Sequence, residues 1–273
     1  ELIENKSDMV KYQIFKCESR NGNQNKAIEI GYELLEGNYP EEDIYVEMGF
    51  NYYNLAMKIK DENDKLKCNY FRKSVFFFEK YINTESFLSH KIDNKKVILE
   101  MCIKSLVLIG EYDKAKIYCD KLSNLDPTSS NLHLSLIEIY IYQDQYEKVI
   151  EECDYLLNHT KSYGKIQEIV KYIKAQCIFA NANYTHEVLK AIDLCEEVLE
   201  KGEYADVAYT IACMYQHIGR FYKMREYIVK SCYYYPLNDK LFDYAITLLG
   251  SSFPSEGNYF YFNVIRNLYI YFI

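Results

Sequence analysis

Apolar residues return at intervals of three and four along nearly the whole chain, in blocks of roughly 12 to 18 residues set apart by short polar stretches. That is the period of a helix with one buried face, and it predicts a chain made of helices. The stretch GEYDKAKIYCDKLSNLDP, 110–127, shows how one block is punctuated, with Gly110 at its head and Pro127 at its foot. The spacing recurs. Val149 takes the place of Ala115, Tyr146 that of Tyr112, and Cys153 that of Cys119, each at the same distance down the chain. Gly219, Phe221, Met224 and Pro236 repeat the Gly, Tyr, Ala and Pro places, and Gly22 and Ala27 stand five apart, as Gly110 and Ala115 do.

Each of these places has a physical reason. Small residues at Gly49, Ala175 and Ala212 let the two helices of a hairpin approach closely. Gly22, Gly110 and Gly219 supply a left-handed residue that ends the first helix. Pro127 and Pro236 end the second, because a proline there cannot donate and clashes with the preceding turn.

A period of about 34 residues carrying two helices resembles the tetratricopeptide repeat. Tyr45, Met48, Gly49 and Tyr52 of YVEMGFNY fit the first-helix part of that pattern, and later first helices carry Leu136, Ile137 and Tyr140, or Ile211, Ala212 and Tyr215. The resemblance covers roughly residues 8–250. It implies an all-α fold, a right-handed α-solenoid of stacked antiparallel helix pairs. Six repeats fall at 8–38, 41–83, 94–127, 128–161, 163–201 and 203–236, and Asp239–Gly250 begins a seventh. The first is weak in its first helix, where bulky Phe15 holds the small-residue place. In the second, DENDKLK, 61–67, is expected to lengthen the hairpin before FRKSVFFFEKYI resumes the helix. In the fifth, Ala175 and Ala191 lie 16 apart instead of 12, about one extra helical turn. No unit buries its apolar face alone, so residues 1–250 are expected to stack as one elongated domain. Residues 251–273 contain NYFYFNVIRNLYIYFI, 258–273, apolar except for Asn258, Asn263, Arg266 and Asn267. This segment is too short and too polar to span a membrane. It is expected to cap the last repeat, or to meet a missing domain or a second copy.

Charge and composition exclude some partners. The net charge is −8, and no Lys/Arg run is interleaved with aromatics, so nucleic acid is not an expected partner. Nine cysteines lie scattered with no CxxC pair, which is the usage of reduced, buried thiols in a cytoplasmic protein and not of a zinc site. The sequons at Asn5, Asn158 and Asn183 have no signal peptide with them and read as chance. Thirty tyrosines, beside many Asn, Ile and Lys, match the codon bias of an AT-rich genome. The chain opens with Glu1 and stops within an apolar run, from which a longer native protein is expected.

Catalytic templates are missing. HExxH, GxSxG, GxGxxG and the P-loop do not occur. DENDK opens like a calcium loop but lacks the glycine at its sixth place, and Arg72 stands where the bidentate Glu belongs. His90, His133, His159, His186 and His217 are far apart and suggest no metal site. The pairs Glu151–Glu152 and Glu196–Glu197 sit on second helices and read as solvated faces. Cys119, Cys153 and Cys195 share one repeat place and read as core. No catalytic residue, metal ligand or cofactor is therefore expected, and the chain is read as non-enzymatic.

What remains is surface. The resemblance implies that first helices line a concave groove. Its outward places fall on Val46, Phe50, Tyr53 and Asn54, then on Glu100, Lys104 and Val107. They continue with Leu134, Glu138, Ile141 and Tyr142, then with Tyr172, Gln176 and Phe179, and finally with Tyr209, Cys213, Gln216 and His217. Aromatic anchors among a few amides have the composition of a protein-recognition surface. The carboxylate clamp of chaperone-tail adaptors is absent, its places being held by Val46, Phe50, Met101, Asn131 and Ser135. The resemblance thus implies a scaffold that binds a peptide or partner helix, as a module of a larger protein or as a stand-alone adaptor. It also allows an array attached to a bacterial glycosyltransferase domain, or a peptide-sensing regulator.

Overall fold

The computed structural model describes residues 2–37, 39–59, 64–159 and 165–235, together with Asp243 and Thr247. Thirteen α-helices and no strand occur among the described residues. Pro236, the segment 258–273 and, apart from Asp243 and Thr247, the helix expected over Asp239–Gly250 lie outside them. The chain forms two compact units, Glu1–Gln143 and Asp144–Ile273.

The first unit holds α1 (Leu2–Arg20), α2 (Gln24–Glu36), α3 (Glu41–Lys58), α4 (Asp64–Ile82), the short α5 (Glu85–Ser89), α6 (Ile92–Leu108), α7 (Tyr112–Leu125) and α8 (Ser130–Tyr142). The pairs α1–α2, α3–α4 and α6–α7 pack internally, and each second helix also packs on the first helix of the following pair. First helices meet in one layer, α1 with α3, α3 with α6 and α6 with α8. This is the stacking that helices with one apolar face require, since a pair alone leaves that face in water.

The core shows why the helices approach as they do. Gly49 lies against Phe78, which is fully buried, and a Cβ at Gly49 would stand 2.5 Å from its ring. The buried Ser74 hydroxyl donates to the Gly49 carbonyl at 2.8 Å, closing the same contact with a hydrogen bond. In the first pair the roles are exchanged. Phe15 is fully buried, and Gly31 of α2 makes room for it, since a Cβ there would stand 3.2 Å from Phe15 and 2.4 Å from the Met48 sulfur. Gly31 occupies the place that Cys119 holds in the third pair, four residues after the Ala27 and Ala115 places. The bulk that weakens the first repeat in sequence is offset on the facing helix.

The insertion in the second pair corrects an expectation. Residues 64–67 of DENDKLK are helix and not hairpin loop: α4 is already helical at Asp64, seven residues before Phe71, where the starts of α7 and α13 align. Likewise α3 runs on to Lys58, past Asn54, where α8 and α12 stop at the equivalent residues Tyr142 and His217. Most of the added residues lengthen the two helices, because an apolar stripe that continues on both gains more by packing than a solvated loop would.

The second unit holds α9 (Tyr146–His159), α10 (Lys165–Ala180), α11 (Thr185–Leu199), α12 (Ala205–His217) and α13 (Phe221–Tyr234). Each packs on the next, α9 on α10 through to α12 on α13. Ala175, Ala191 and Ala212 are all fully buried in its core. The extra residues of the fifth repeat enter the start of α11, at Thr185, and the turn before it. The turn glycines behave as their places demand, with φ of 80° at Gly22, 77° at Gly110 and 73° at Gly219. Asp144, which holds the Gly110 place in the following repeat, takes the same left-handed conformation at φ 54°, which Asp tolerates better than most residues.

Candidate functional site

In the first unit four of the expected places, Glu100, Lys104, Leu134 and Glu138, line one hollow between α6 and α8. Glu100, Met101, Lys104 and Leu108 share one face of α6, and Asn131, Leu134, Ser135 and Glu138 share one face of α8. Their spacing of three, four and seven residues is what brings them onto single faces. Together they line a hollow of about 200 Å³. Met101 and Leu134 are half-buried, while Leu108, Lys104 and Glu138 reach solvent.

The hollow has a fixed polar edge. Glu100 accepts from the Ser129 hydroxyl at 2.8 Å and from the Asn131 amide at 2.9 Å. The same Ser129 hydroxyl accepts the Leu132 N–H and caps α8, so α6 holds the start of α8 in place. Glu138 is held differently. Crowding in the hollow desolvates its carboxyl and pushes it above the usual carboxylate range, against the pull of Lys104. Beside the hollow, the exposed Tyr142 ring stacks on Tyr112 of α7 at 3.9 Å between centroids.

Other expected places of this unit lie elsewhere. Asn54 is exposed on α3, just before the added turn. Phe50 is half-buried, edge-on to Phe78 at 5.2 Å, and so divides its ring between core and surface. Tyr53 and Val107, each 7% exposed, are core residues. Tyr53 is covered by Phe71 at 5.7 Å, next to Ala56, because the lengthened pair carries its packing further along α3.

In the second unit the expected residues meet in two contacts between α10 and α12. The Tyr172 hydroxyl stands 2.7 Å from that of Thr210. Either hydroxyl can donate to the other, and both also reach the Asp206 carbonyl, Thr210 at 2.9 Å and Tyr172 at 3.4 Å. Burial raises the Tyr172 hydroxyl above its usual range. Phe179 meets His217 edge-on at 5.4 Å. Gln176 is exposed, and Tyr209 and Gln216 are half-buried.

One turn further toward the start of α10 lies a second, apolar hollow of about 180 Å³, lined by Lys165, Glu168, Ile169, Tyr172, Val198, Tyr204 and Val207. Tyr204 donates to Glu168 at 2.5 Å across it. The spacing Lys165, Glu168, Ile169, Tyr172 continues the Tyr172 face backwards and was readable in sequence. Val198 and Tyr204, supplied by other elements, carry no such signal.

Two chemical readings receive a structural answer. Cys102, Cys119, Cys153, Cys177, Cys195 and Cys232 are buried, and burial raises the Cys153 and Cys195 thiols to about 12, which makes them inert core residues. Cys17 is exposed, so the expectation of buried thiols does not extend to it. The Glu196–Glu197 pair is not merely solvated, since Glu196 accepts from Tyr227 and Glu197 pairs with Lys171 at 2.5 Å. Among the described residues no group of three or more His, Cys, Asp or Glu is placed to hold a metal ion, and no helix is long and apolar enough to cross a membrane.

No family model matches the chain, and no curated protein matches it in sequence. Among solved structures it is similar to TTC0263, a thermophilic TPR protein in Thermus thermophilus, at 13% identity and a TM-score of 0.47, over 76% of this chain and 98% of that one. It is also similar to yeast Tom70 at 16% identity and a TM-score of 0.38, over 97% of this chain and 56% of that one. Its own helix pairs, turn residues and two-layer stacking describe the fold without them: an all-α, tetratricopeptide-like helical repeat.

Proposed function

We propose that this chain is a non-catalytic protein–protein interaction scaffold that holds a peptide or a partner helix along its first helices. The observation that carries this reading is the hollow between α6 and α8, where an apolar floor is edged by Glu100, Lys104, Asn131 and Glu138. Small-molecule sites run to about 300–1,000 Å³. At about 200 Å³ this hollow suits one side chain of a longer ligand better than a whole metabolite. Tyr142 beside it, and Tyr172, Gln176, Phe179, Gln216 and His217 in the second unit, add aromatic and amide contacts of the kind that dominate protein interfaces.

The test is selection of peptides from a random displayed library on the immobilised chain, followed by titration of the winners. Replacing Tyr142, Tyr172 and Phe179 together by Ala, with helicity checked by circular dichroism, is expected to weaken them at least about tenfold. Failure to enrich any peptide, or full affinity in the triple variant, overturns the reading.

A further inference from the structure

Resting on that reading of the first-helix face, we infer that the hollow between α6 and α8 selects a cationic side chain, lysine or arginine, beside an aliphatic one in its ligand.

The argument is one of charge and hydrogen-bond capacity. Glu100 and Glu138 face one ammonium group, that of Lys104, so the lining keeps one negative charge. The two carboxylates are not equivalent. Glu100 already accepts two hydrogen bonds from Ser129 and Asn131. Glu138 makes no hydrogen bond or ion pair among the described residues, although Lys104 lies near enough to act on it through space. Desolvation outweighs that pull. A partly desolvated carboxylate with free lone pairs is the place where a guest cation gains most, because charge-assisted hydrogen bonds are about twice as strong as neutral ones.

The apolar part of the lining sets the second requirement. Met101, Leu108 and Leu134 form the floor, with Leu108 44% exposed. The stem of a lysine or arginine lies along such a surface while its head stays with the carboxylate, and an aliphatic neighbour covers what remains. The chain as a whole carries −8, so a basic segment is also drawn toward it at long range.

The experiment uses the full chain and a random displayed peptide library, with fluorescence anisotropy on labelled copies of the enriched peptides. Peptides carrying Lys or Arg next to Leu, Ile or Met are expected to be enriched. Glu138→Gln is expected to weaken them about five- to tenfold, and Glu138→Asp to retain most of the affinity. Raising salt from about 50 to about 500 mM is expected to weaken them further. Lys104→Met removes the competing ammonium and is expected to tighten binding severalfold, a gain that misfolding cannot produce. Enrichment of neutral or acidic peptides, an unchanged affinity in Glu138→Gln, or weaker binding in Lys104→Met overturns the selectivity while leaving the peptide-binding reading in place. Failure to enrich any peptide overturns both.

Discussion

The hydroxyl of Tyr118 on α7 donates to the Glu79 carboxylate on α4 at 2.8 Å, which joins the second helix of one pair to that of the next. Lys114 reaches Glu79 as well, at 2.8 Å. The second unit repeats the tie, with Tyr227 of α13 donating to Glu196 of α11 at 2.5 Å. The registers coincide. Tyr118 and Tyr227 each stand three residues after the Ala115 and Met224 places, and Glu79 and Glu196 five after the Ser74 and Ala191 places. All four of those reference residues are fully buried, so the repeat fixes where the tyrosine and the glutamate emerge.

Tyr118→Phe and Tyr227→Phe keep the ring packing and remove only the hydroxyl. Each is expected to lower the unfolding free energy by about 1 kcal/mol in urea titration. An unchanged midpoint in both would show that these ties add nothing to stability.

The same tyrosines make the fold sensitive to alkali. Burial first, and the facing glutamate second, raise the Tyr118 and Tyr227 hydroxyls, and burial raises that of Tyr12. A native value above the unfolded one means the folded chain holds its protons longer. The stability these groups contribute is therefore complete below about pH 10, the ordinary tyrosine value, and is lost as pH rises through the native values. Absorbance titration at alkaline pH should show part of the tyrosine signal appearing late, together with the loss of helical circular dichroism. A single transition near the ordinary value, with the helices intact, would contradict this.

Gly49→Ala and Gly31→Ala should differ in cost. An alanine inside a helix gains up to about 1 kcal/mol over glycine from propensity, whereas overpacking a core costs about 1–3 kcal/mol. At Gly49 the new methyl meets the Phe78 ring, which is fully buried and held edge-on by Phe50. At Gly31 its nearest neighbour is the Met48 thioether, which can rotate away. Thermal melts are expected to rank wild type above Gly31→Ala and Gly31→Ala above Gly49→Ala.

Alkylation should divide the thiols by burial. Cys17 is exposed and is expected to react with iodoacetamide at about pH 8 in the native chain. Burial raises Cys177 and Cys232 to about 11, and Cys153 and Cys195 to about 12, so these should react only after unfolding. Peptide mass spectrometry before and after urea reads the difference. Fast native labelling of Cys153 or Cys195 would show that the core opens at those helices.

The sequence by itself determined what depends on neighbours along the chain. The helical period, the left-handed turns at Gly22, Gly110 and Gly219, and the burial of Ala175 and Ala212 were all legible there. Each follows from backbone conformation or from one apolar face repeating with the helix. Only the tertiary structure decided the rest. It moved most of the second-pair insertion into α3 and α4, buried Tyr53 under Phe71, and set Gly31 against Phe15. It drew Glu79 to Tyr118, and it gathered Lys104 and Glu138 into one hollow while leaving Asn54 outside it. These partners stand 16 to 39 positions apart, and their meeting depends on helix length and on the side chains between them, which a linear pattern does not carry.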